Sequence, residues 1–587
     1  MNYELNADKN KNILSVWGSL RSLAPLMTGE KSILLYAIFA TLTTSAIMLG
    51  APLIIAHVLD TYIMKMQFDG VLPYAVLLLA LYALSFLSNY LQIKFMGGVG
   101  QRVLFRLRDR IFSKLQSLPL AFFNANKAGD LISRINNDTD KLNQFFSQTL
   151  IQFVGSIVTM TGAAILIVSL NFQLGLAVLA PAALVIIFTV VVSPWIKRTN
   201  TAALKATGGL TAEVSESLQN FKVVVAFNRR DFFKERFRVA NEENYQSTVK
   251  ANIATSTLGP VYGFASNAAQ LIVLAYGILL ISSGNLTLGL LVSYFSYTNS
   301  LYSPLRQIAS LWSNLQVALA GWDRIVSILQ MENEMKVIKA KDKTESSHKD
   351  LLRFDDVSFS YEAGKDVLKN VSLTFKPGKT YALVGPTGGG KTTTASLIAR
   401  LYDPTSGSVY FDGDDIRTMT PEERTSKIGF ILQEPILFSG TIRENILYGN
   451  KQLHHHTTDE LAKVIKEAGL EKLLDRFDGG LESTITSTGD TLSLGQKQLI
   501  AFMRTVLREP SLIILDEATA NIDTVTEGLL QEILTKPPKS TTRVVIAHRL
   551  NTIENADVIY FVNAGSITRA GSMQAAIDLL RAGAQSS

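Results

Sequence analysis

The chain has 587 residues, of which 47% are hydrophobic and 18% charged, and its 56 Lys+Arg against 50 Asp+Glu leave a formal net charge of +6. Mean hydropathy is positive, at +0.20, and a soluble protein of this size needs more charge to cover its surface, so part of the chain is expected in lipid. The absence of cysteine excludes disulfides, thiolate metal sites, Fe–S clusters and cysteine nucleophiles, and no basic patch interleaves with aromatics, so no nucleic-acid partner is expected.

Residues 1–30 mix polar and apolar side chains and read as a cytoplasmic or interfacial segment, not a removable signal peptide. Crossing a bilayer takes roughly 20 apolar residues in a helix. Residues 31–330 supply six such runs, at about 33–59, 71–95, 149–170, 174–196, 251–281 and 286–305. Lys and Arg gather before the first run and in the two long connections, with Arg102, Arg106, Arg108, Arg110, Arg229, Arg230, Arg236 and Arg238 among them, whereas the three short connections hold Lys65 alone. The positive-inside rule then puts both termini and both long connections in the cytoplasm of a multi-pass protein. The connections, 94–148 and 197–250, read as charged helical hairpins that continue the membrane helices towards a domain beyond the bilayer.

No charge interrupts the middle of a run, so a relay through buried carboxylates is not indicated. Polar and aromatic groups do occur there: Asn89, Tyr90, Gln92, Tyr262, Asn267, Gln270, Tyr294, Tyr297, Asn299 and Tyr302. They read either as helix-packing groups and interface anchors or, as a set, as the lining of a cavity for a large, partly apolar solute. Residues 331–350 are a charged linker, and 351–587 have the composition of a soluble α/β domain.

In that domain the strand-like run Thr380-Tyr381-Ala382-Leu383-Val384 leads into Gly385-Pro386-Thr387-Gly388-Gly389-Gly390-Lys391-Thr392-Thr393 and then an apolar-periodic helix. This is a P-loop in its strand–loop–helix setting. Its glycines let backbone N–H groups close round phosphates, Lys391 reaches the β- and γ-phosphates, and Thr392 can hold Mg²⁺. A second apolar strand, Leu512-Ile513-Ile514-Leu515, ends in Asp516 and Glu517. Asp516 is suited to the Mg²⁺ shell and Glu517 to accept a proton from the attacking water. His454-His455-His456 reads as a solvated loop and not a metal site.

Between the two motifs lies Leu492-Ser493-Leu494-Gly495-Gln496, which resembles the Leu-Ser-Gly-Gly-Gln signature of ABC transporters. The resemblance extends over essentially the whole chain and implies a membrane all-α six-helix domain followed by an α/β P-loop ATPase, as in a bacterial exporter half-transporter of the multidrug type. It implies ATP and Mg²⁺ as cofactors, Tyr361 stacked on adenine, Gln433 as the Q-loop glutamine near the metal, Asp523 in a D-loop, His548 as the switch histidine, and Ser493, Gly495 and Gln496 at the phosphate of a partner chain's nucleotide. It further implies a dimer, coupling elements near 122–130 and 219–229, residence in the plasma membrane of a bacterium, and hydrophobic or amphipathic cargo. Where the family has the first signature glycine this chain has Leu494, and its D-loop reads Ala520-Asn521-Ile522-Asp523. Both departures favour a heterodimer with one weakened site, a homodimer being the alternative. A lipid flippase and a nucleotide-gated channel or regulatory subunit are the rival functions; retention of Glu517 and His548 speaks against the gate.

Overall fold

The structure is a computed structural model that describes residues 3–5, 16–333, 335–338, 350–362, 364–477, 479–486, 492–516, 528–530, 540–547, 554 and 556–585. It divides into two compact units. One comprises Asn126–Met331 with the chain up to Gln116, the other Ser117–Ala125 with Glu332–Ser587.

The first unit is helical. Its main helices are Lys31–Val58, Val71–Gln116, Leu150–Leu170, Phe172–Gln219, Arg230–Ser256, Leu258–Ser282 and Leu288–Leu329. Val71–Gln116 and Phe172–Gln219 have 46 and 48 residues. At about 1.5 Å per residue they run to roughly 70 Å, more than twice the ~30 Å hydrocarbon core. The charged connections are therefore continuations of apolar helices, not separate subdomains.

Among the described residues five stretches are long and apolar enough to cross a membrane: Lys31–Ile63, Phe68–Gln116, Ala128–Leu170, Phe172–Gln219 and Arg230–Ser282. The sixth expected span, 286–305, falls in the 42-residue helix Leu288–Leu329, which is not one of the five. Its Ser, Thr, Tyr and Asn residues lower its hydropathy, and their hydrogen bonds account for them. The Tyr294 hydroxyl donates to Ile167 O at 2.8 Å, Tyr297 to Leu49 O at 2.8 Å, Tyr302 to Val178 O at 3.0 Å and Ser293 to Pro52 O at 2.7 Å.

The accepting carbonyls are of two kinds. Ile167 lies in the last turn of a helix that ends at Leu170, where carbonyls have no intrahelical donor. Leu49 and Val178 lie inside helices Lys31–Val58 and Phe172–Gln219, where a carbonyl has a second lone pair to offer beside its helical bond. Away from water the tyrosine hydroxyls need such a partner. Tyr294 and Tyr297 are fully buried and Tyr302 nearly so, and Tyr262, also buried, shares a 3.0 Å hydrogen bond with Thr189. Packing, not cavity lining, is thus the role of these four tyrosines. Gln270 instead donates to Asn299 at 3.0 Å at an exposed position, and Tyr90 is exposed.

The second unit is built on sheets. Strands β1 (Leu352–Ser360), β2 (Asp366–Phe375), β4 (Ser406–Phe411) and β5 (Asp414–Asp415) form an antiparallel sheet in the order β2-β1-β4-β5. A six-stranded sheet takes β3 (Thr380–Val384), β6 (Ile428–Ile431), β9 (Leu512–Asp516), β10 (Thr542–Ile546), β11 (Val558–Asn563) and β12 (Ser566–Ala570) in the order β12-β11-β3-β10-β9-β6. All of its pairs are parallel except β11 with β12, and the short strands β7 (Gly440–Thr441) and β8 (Thr484–Ile485) form a separate antiparallel pair. Every residue of β9 is buried, as expected for a parallel strand covered on both faces, and this explains its unbroken apolar run. One core cluster joins the two sheets through Phe354, Phe375, Phe411, Leu383, Ile514 and Val544.

Candidate nucleotide site

In a mostly parallel sheet, ligands gather beyond the carboxyl ends of the strands. Here β3 ends at Val384 and enters the Gly385–Gly390 loop, β9 ends on Asp516, and β6 ends two residues before Gln433. The register aligns these ends: Ile546 of β10 faces Leu383 on one side and Asp516 on the other, and Leu515 faces Ile431. Asp516 therefore stands two strands from the loop, about 10 Å at the usual interstrand spacing, on the same edge of the sheet. Asp516 is buried and Gln433 exposed.

The loop itself requires glycine for two different reasons. Gly388 and Gly390 have φ of +81° and +114°, a region that side chains with a Cβ rarely enter. Gly385 and Gly389 lie against the backbone of β11, where an added Cβ would fall 1.9 Å and 2.8 Å from Val562 O. The exposed Pro386, Thr387 and Gly388 form the outer rim of the loop, while Gly389 and Gly390 are buried. Helix Lys391–Ile398 starts directly from Gly390, its N-cap. Lys391 is 5% exposed, and its ammonium donates to Gly385 O at 2.9 Å and Pro386 O at 3.0 Å, which ties a positive charge across the loop. Thr392 is exposed at the helix start, and the hydroxyl of Thr393 hydrogen-bonds Tyr361 at 3.1 Å. A glycine-enforced cradle, a helix N-terminus and a fixed ammonium are the donor set that fits a polyphosphate, and Thr392 with the buried Asp516 carboxylate is an oxygen set that suits Mg²⁺.

Tyr361 is 51% exposed and offers its ring beside the loop. It packs edge-on against Phe359, with centroids 4.8 Å apart, and against Tyr402, at 5.2 Å. Spacing in the sequence gave no indication of Tyr402, which touches the Tyr361 ring from behind, or of Val562, which backs the loop, because both are brought there by tertiary contacts.

The signature residues form a separate feature. Ser493 caps helix Leu494–Val506: its hydroxyl accepts from Gln496 N at 3.2 Å while Gln496 Oε1 accepts from Ser493 N at 2.8 Å, and the Gln496 amide also donates to Arg476 O at 2.7 Å. Gly495 is buried and Leu494 is 36% exposed. The same helix carries Gln498, fully buried, which donates to Gln433 O at 3.4 Å and links the signature helix to the Q-loop. Glu517, Asp523 and His548 lie outside the described residues.

Comparison with known proteins assigns both parts of the chain to one family. Residues 34–305 match the family described as ABC transporter transmembrane region, and residues 368–520 the family described as ABC transporter. The chain is 32% identical over 574 residues to the uncharacterized ABC transporter ATP-binding protein YfiC of Bacillus subtilis, covering 96% of this chain and 93% of that one. It is 33% identical to a fatty acid ABC transporter ATP-binding/permease protein of Mycobacterium tuberculosis, covering 84% and 78%. A third relative, named "Probable multidrug resistance ABC transporter ATP-binding/permease protein YheH" in Bacillus subtilis, is 31% identical, with coverage of 85% and 74%. The chain belongs to the ABC transporter family, with a transmembrane region and an ATPase domain fused in one polypeptide, as in the ATP-binding/permease half-transporters of bacteria. It is a multi-pass membrane protein whose ATP hydrolysis is coupled to transport.

Proposed function

We propose that this chain is one half of a heterodimeric pump that exports hydrophobic or amphipathic compounds by alternating access across a bacterial plasma membrane, with both termini and the ATPase domain cytoplasmic. The observation that carries the reading is the convergence of the Lys391 loop and Asp516 on one sheet edge, in a chain whose other unit is made of long apolar helices. The loop Gly385–Gly390 holds the phosphates of ATP, Lys391 balances their charge, and Thr392, Asp516 and Gln433 hold Mg²⁺, which neutralises charge during phosphoryl transfer. Glu517 accepts the proton of the attacking water and His548 orients the γ-phosphate. Tyr361 stacks on the adenine, and Asp523 lines the boundary with the second chain.

The exposed tip of the second hairpin supports a second half-transporter. Helix Phe221–Ala226 leaves Phe221, Val223 and Val225 42–55% exposed, with Phe227 at 74%, and a cytoplasmic apolar tip of this kind needs a covering surface. The ATPase unit in turn exposes Leu432, Ile436, Phe438 and Tyr448 after β6. We assign the pair to mutual docking between the chain and its partner. The names of two relatives support amphipathic cargo, and the one named for fatty acids favours a lipid-like molecule as a second reading.

Inside-out vesicles holding the chain and its co-purifying partner should concentrate the dye Hoechst 33342 with ATP; equilibration without accumulation overturns the pump. Glu517→Gln should lower ATP turnover by about 10²- to 10⁴-fold, the usual worth of a general base. A purified chain that alone matches the ATPase rate of the complex rules out the heterodimer.

A further inference from the structure

Helix Leu120–Ala125 follows Val71–Gln116 in sequence but belongs to the compact unit of the ATPase domain, and its Phe122 is fully buried. One residue pair there has no part in nucleotide chemistry. The Asn124 side-chain amide donates to the Tyr402 hydroxyl at 2.6 Å. Tyr402 is half-buried at the end of the P-loop helix region, and its ring stands edge-on to Tyr361 at 5.2 Å and tilted against Phe359 at 5.5 Å. Tyr361 in turn hydrogen-bonds Thr393, next to Thr392.

These contacts form one continuous path: P-loop helix, Tyr361, Tyr402, Asn124. An edge-to-face pair depends on ring angle and separation, so a base stacked on the exposed face of Tyr361 fixes the ring that Tyr402 abuts. Fixing Tyr402 orients the hydroxyl that Asn124 grips. A nucleotide whose base does not engage Tyr361 leaves this pair unconstrained, even with its phosphates fully bound.

We propose that Tyr402 and Asn124 are positioning residues that report occupation of the base platform to helix Leu120–Ala125, so that this helix distinguishes a stacked purine from an empty platform. The proposal rests on the reading of Tyr361 as the adenine platform. It makes a purine preference a property of coupling and not only of affinity.

The test uses the full chain with its co-purifying partner in lipid nanodiscs, comparing ATP with UTP, each at saturation. Amide hydrogen exchange is followed by mass spectrometry in the peptide spanning 117–125, and the KM for ATP is measured in parallel. In the parent, ATP is expected to slow exchange there more than UTP does, by about fivefold, the net effect of one hydrogen bond on a local opening equilibrium. Tyr402→Phe keeps the ring but removes the acceptor, and Asn124→Leu keeps the shape but removes the donor. Each should abolish the difference between ATP and UTP while leaving the KM for ATP within about twofold of the parent, below the effect of one lost hydrogen bond. Retention of the difference in Tyr402→Phe overturns the relay. So does its loss together with a matching rise in KM, since Tyr402 would then merely prop the platform. Tyr361→Ala tests the underlying reading separately: it should raise the KM for ATP, and a parental KM overturns the platform assignment whatever Tyr402→Phe shows.

Discussion

Two glycine substitutions in the same loop should fail for different reasons. At Gly388 the φ of +81° is the difficulty, since an added Cβ there meets nothing within 4 Å. Gly388 is exposed, so the empty loop can relax; the cost of holding an L-residue in the left-handed region, about 1–2 kcal/mol, then falls on nucleotide binding, and at 1.4 kcal/mol per decade it weakens ATP binding by roughly 5- to 30-fold. At Gly385 the new carbon would sit 1.9 Å from Val562 O and 2.9 Å from Val562 C. That obstacle is backbone, and Val562 is held in register with Ile567 of β12, so no side-chain rotation relieves it. Gly385→Ala must displace β11 by more than about 1 Å, and overpacking of a dense interior costs about 1–3 kcal/mol in stability besides distorting the cradle. Fluorescent-nucleotide titration should therefore show a right-shifted but complete curve for Gly388→Ala, with an unchanged melting temperature. For Gly385→Ala it should show loss of binding together with a lowered melting temperature. Equal melting temperatures and equal affinities for the two variants would refute the steric account of the loop.

Other consequences follow from single contacts. Tyr297→Phe removes a buried interhelical hydrogen bond to the Leu49 carbonyl; at about 1 kcal/mol for a bond of this kind the variant should melt lower in nanodiscs than Tyr276→Phe, whose hydroxyl donates to the exposed Gln173. A Tyr276→Phe chain that melts as low as Tyr297→Phe would overturn the packing role given to the buried hydroxyl. Burial raises the pKa of Asp415, but the Arg417 guanidinium and backbone N–H outweigh it and hold the carboxyl below its ordinary value. Its contribution is present above the unfolded-state pKa and lost as pH falls through the lowered one, so Asp415→Asn should destabilise the chain at pH 7 and bring the two chains together in acid melts. A gap that is constant with pH would mean that packing, not charge, is at work.

The parts of the protein that were legible in the sequence are those dictated by local backbone geometry and by the solvent. Gly385 to Lys391 could be read because few residues other than glycine tolerate such φ values or such close approach to Val562. The apolar runs could be read because the bilayer sets a minimum length, and the end of β9 because a buried parallel strand is unbroken until the carboxylate of Asp516. What escaped was set by pairing across the fold. Nothing in the spacing of Tyr294, Tyr297 and Tyr302 says that their hydroxyls meet the carbonyls of Ile167, Leu49 and Val178 on neighbouring helices, and so cavity lining stands beside packing until the partners are known. The polarity that weakens the sixth span as a hydropathy signal is the same polarity that ties it to the backbones of its neighbours. Asn124 and Tyr402 are 278 residues apart, beyond any motif.

The departure at Leu494 can be argued further with the helix in view. Four N–H groups at a helix start lack intrahelical partners, and the Ser493–Gln496 capping box engages two, those of Ser493 and Gln496. The donors it leaves for an anion are the N–H groups of Leu494 and Gly495 and the Ser493 hydroxyl proton. All three belong to, or adjoin, the residue that carries the substituted side chain, and Leu494 is partly covered at 36% exposed. A phosphate approaching Leu494 N and Gly495 N must therefore pass a branched side chain where glycine would present bare backbone. Leu494→Gly removes that obstruction at a cost of about 1 kcal/mol in helix propensity and lost packing. If the Leu494 site is the weaker of two in a heterodimer, ATP turnover of the complex should rise, and the gain should survive Glu517→Gln in this chain, because the signature and the base of one polypeptide serve different nucleotides. A gain that Glu517→Gln abolishes would place Leu494 and Glu517 on the same catalytic cycle and return the assembly to a pair of equivalent sites.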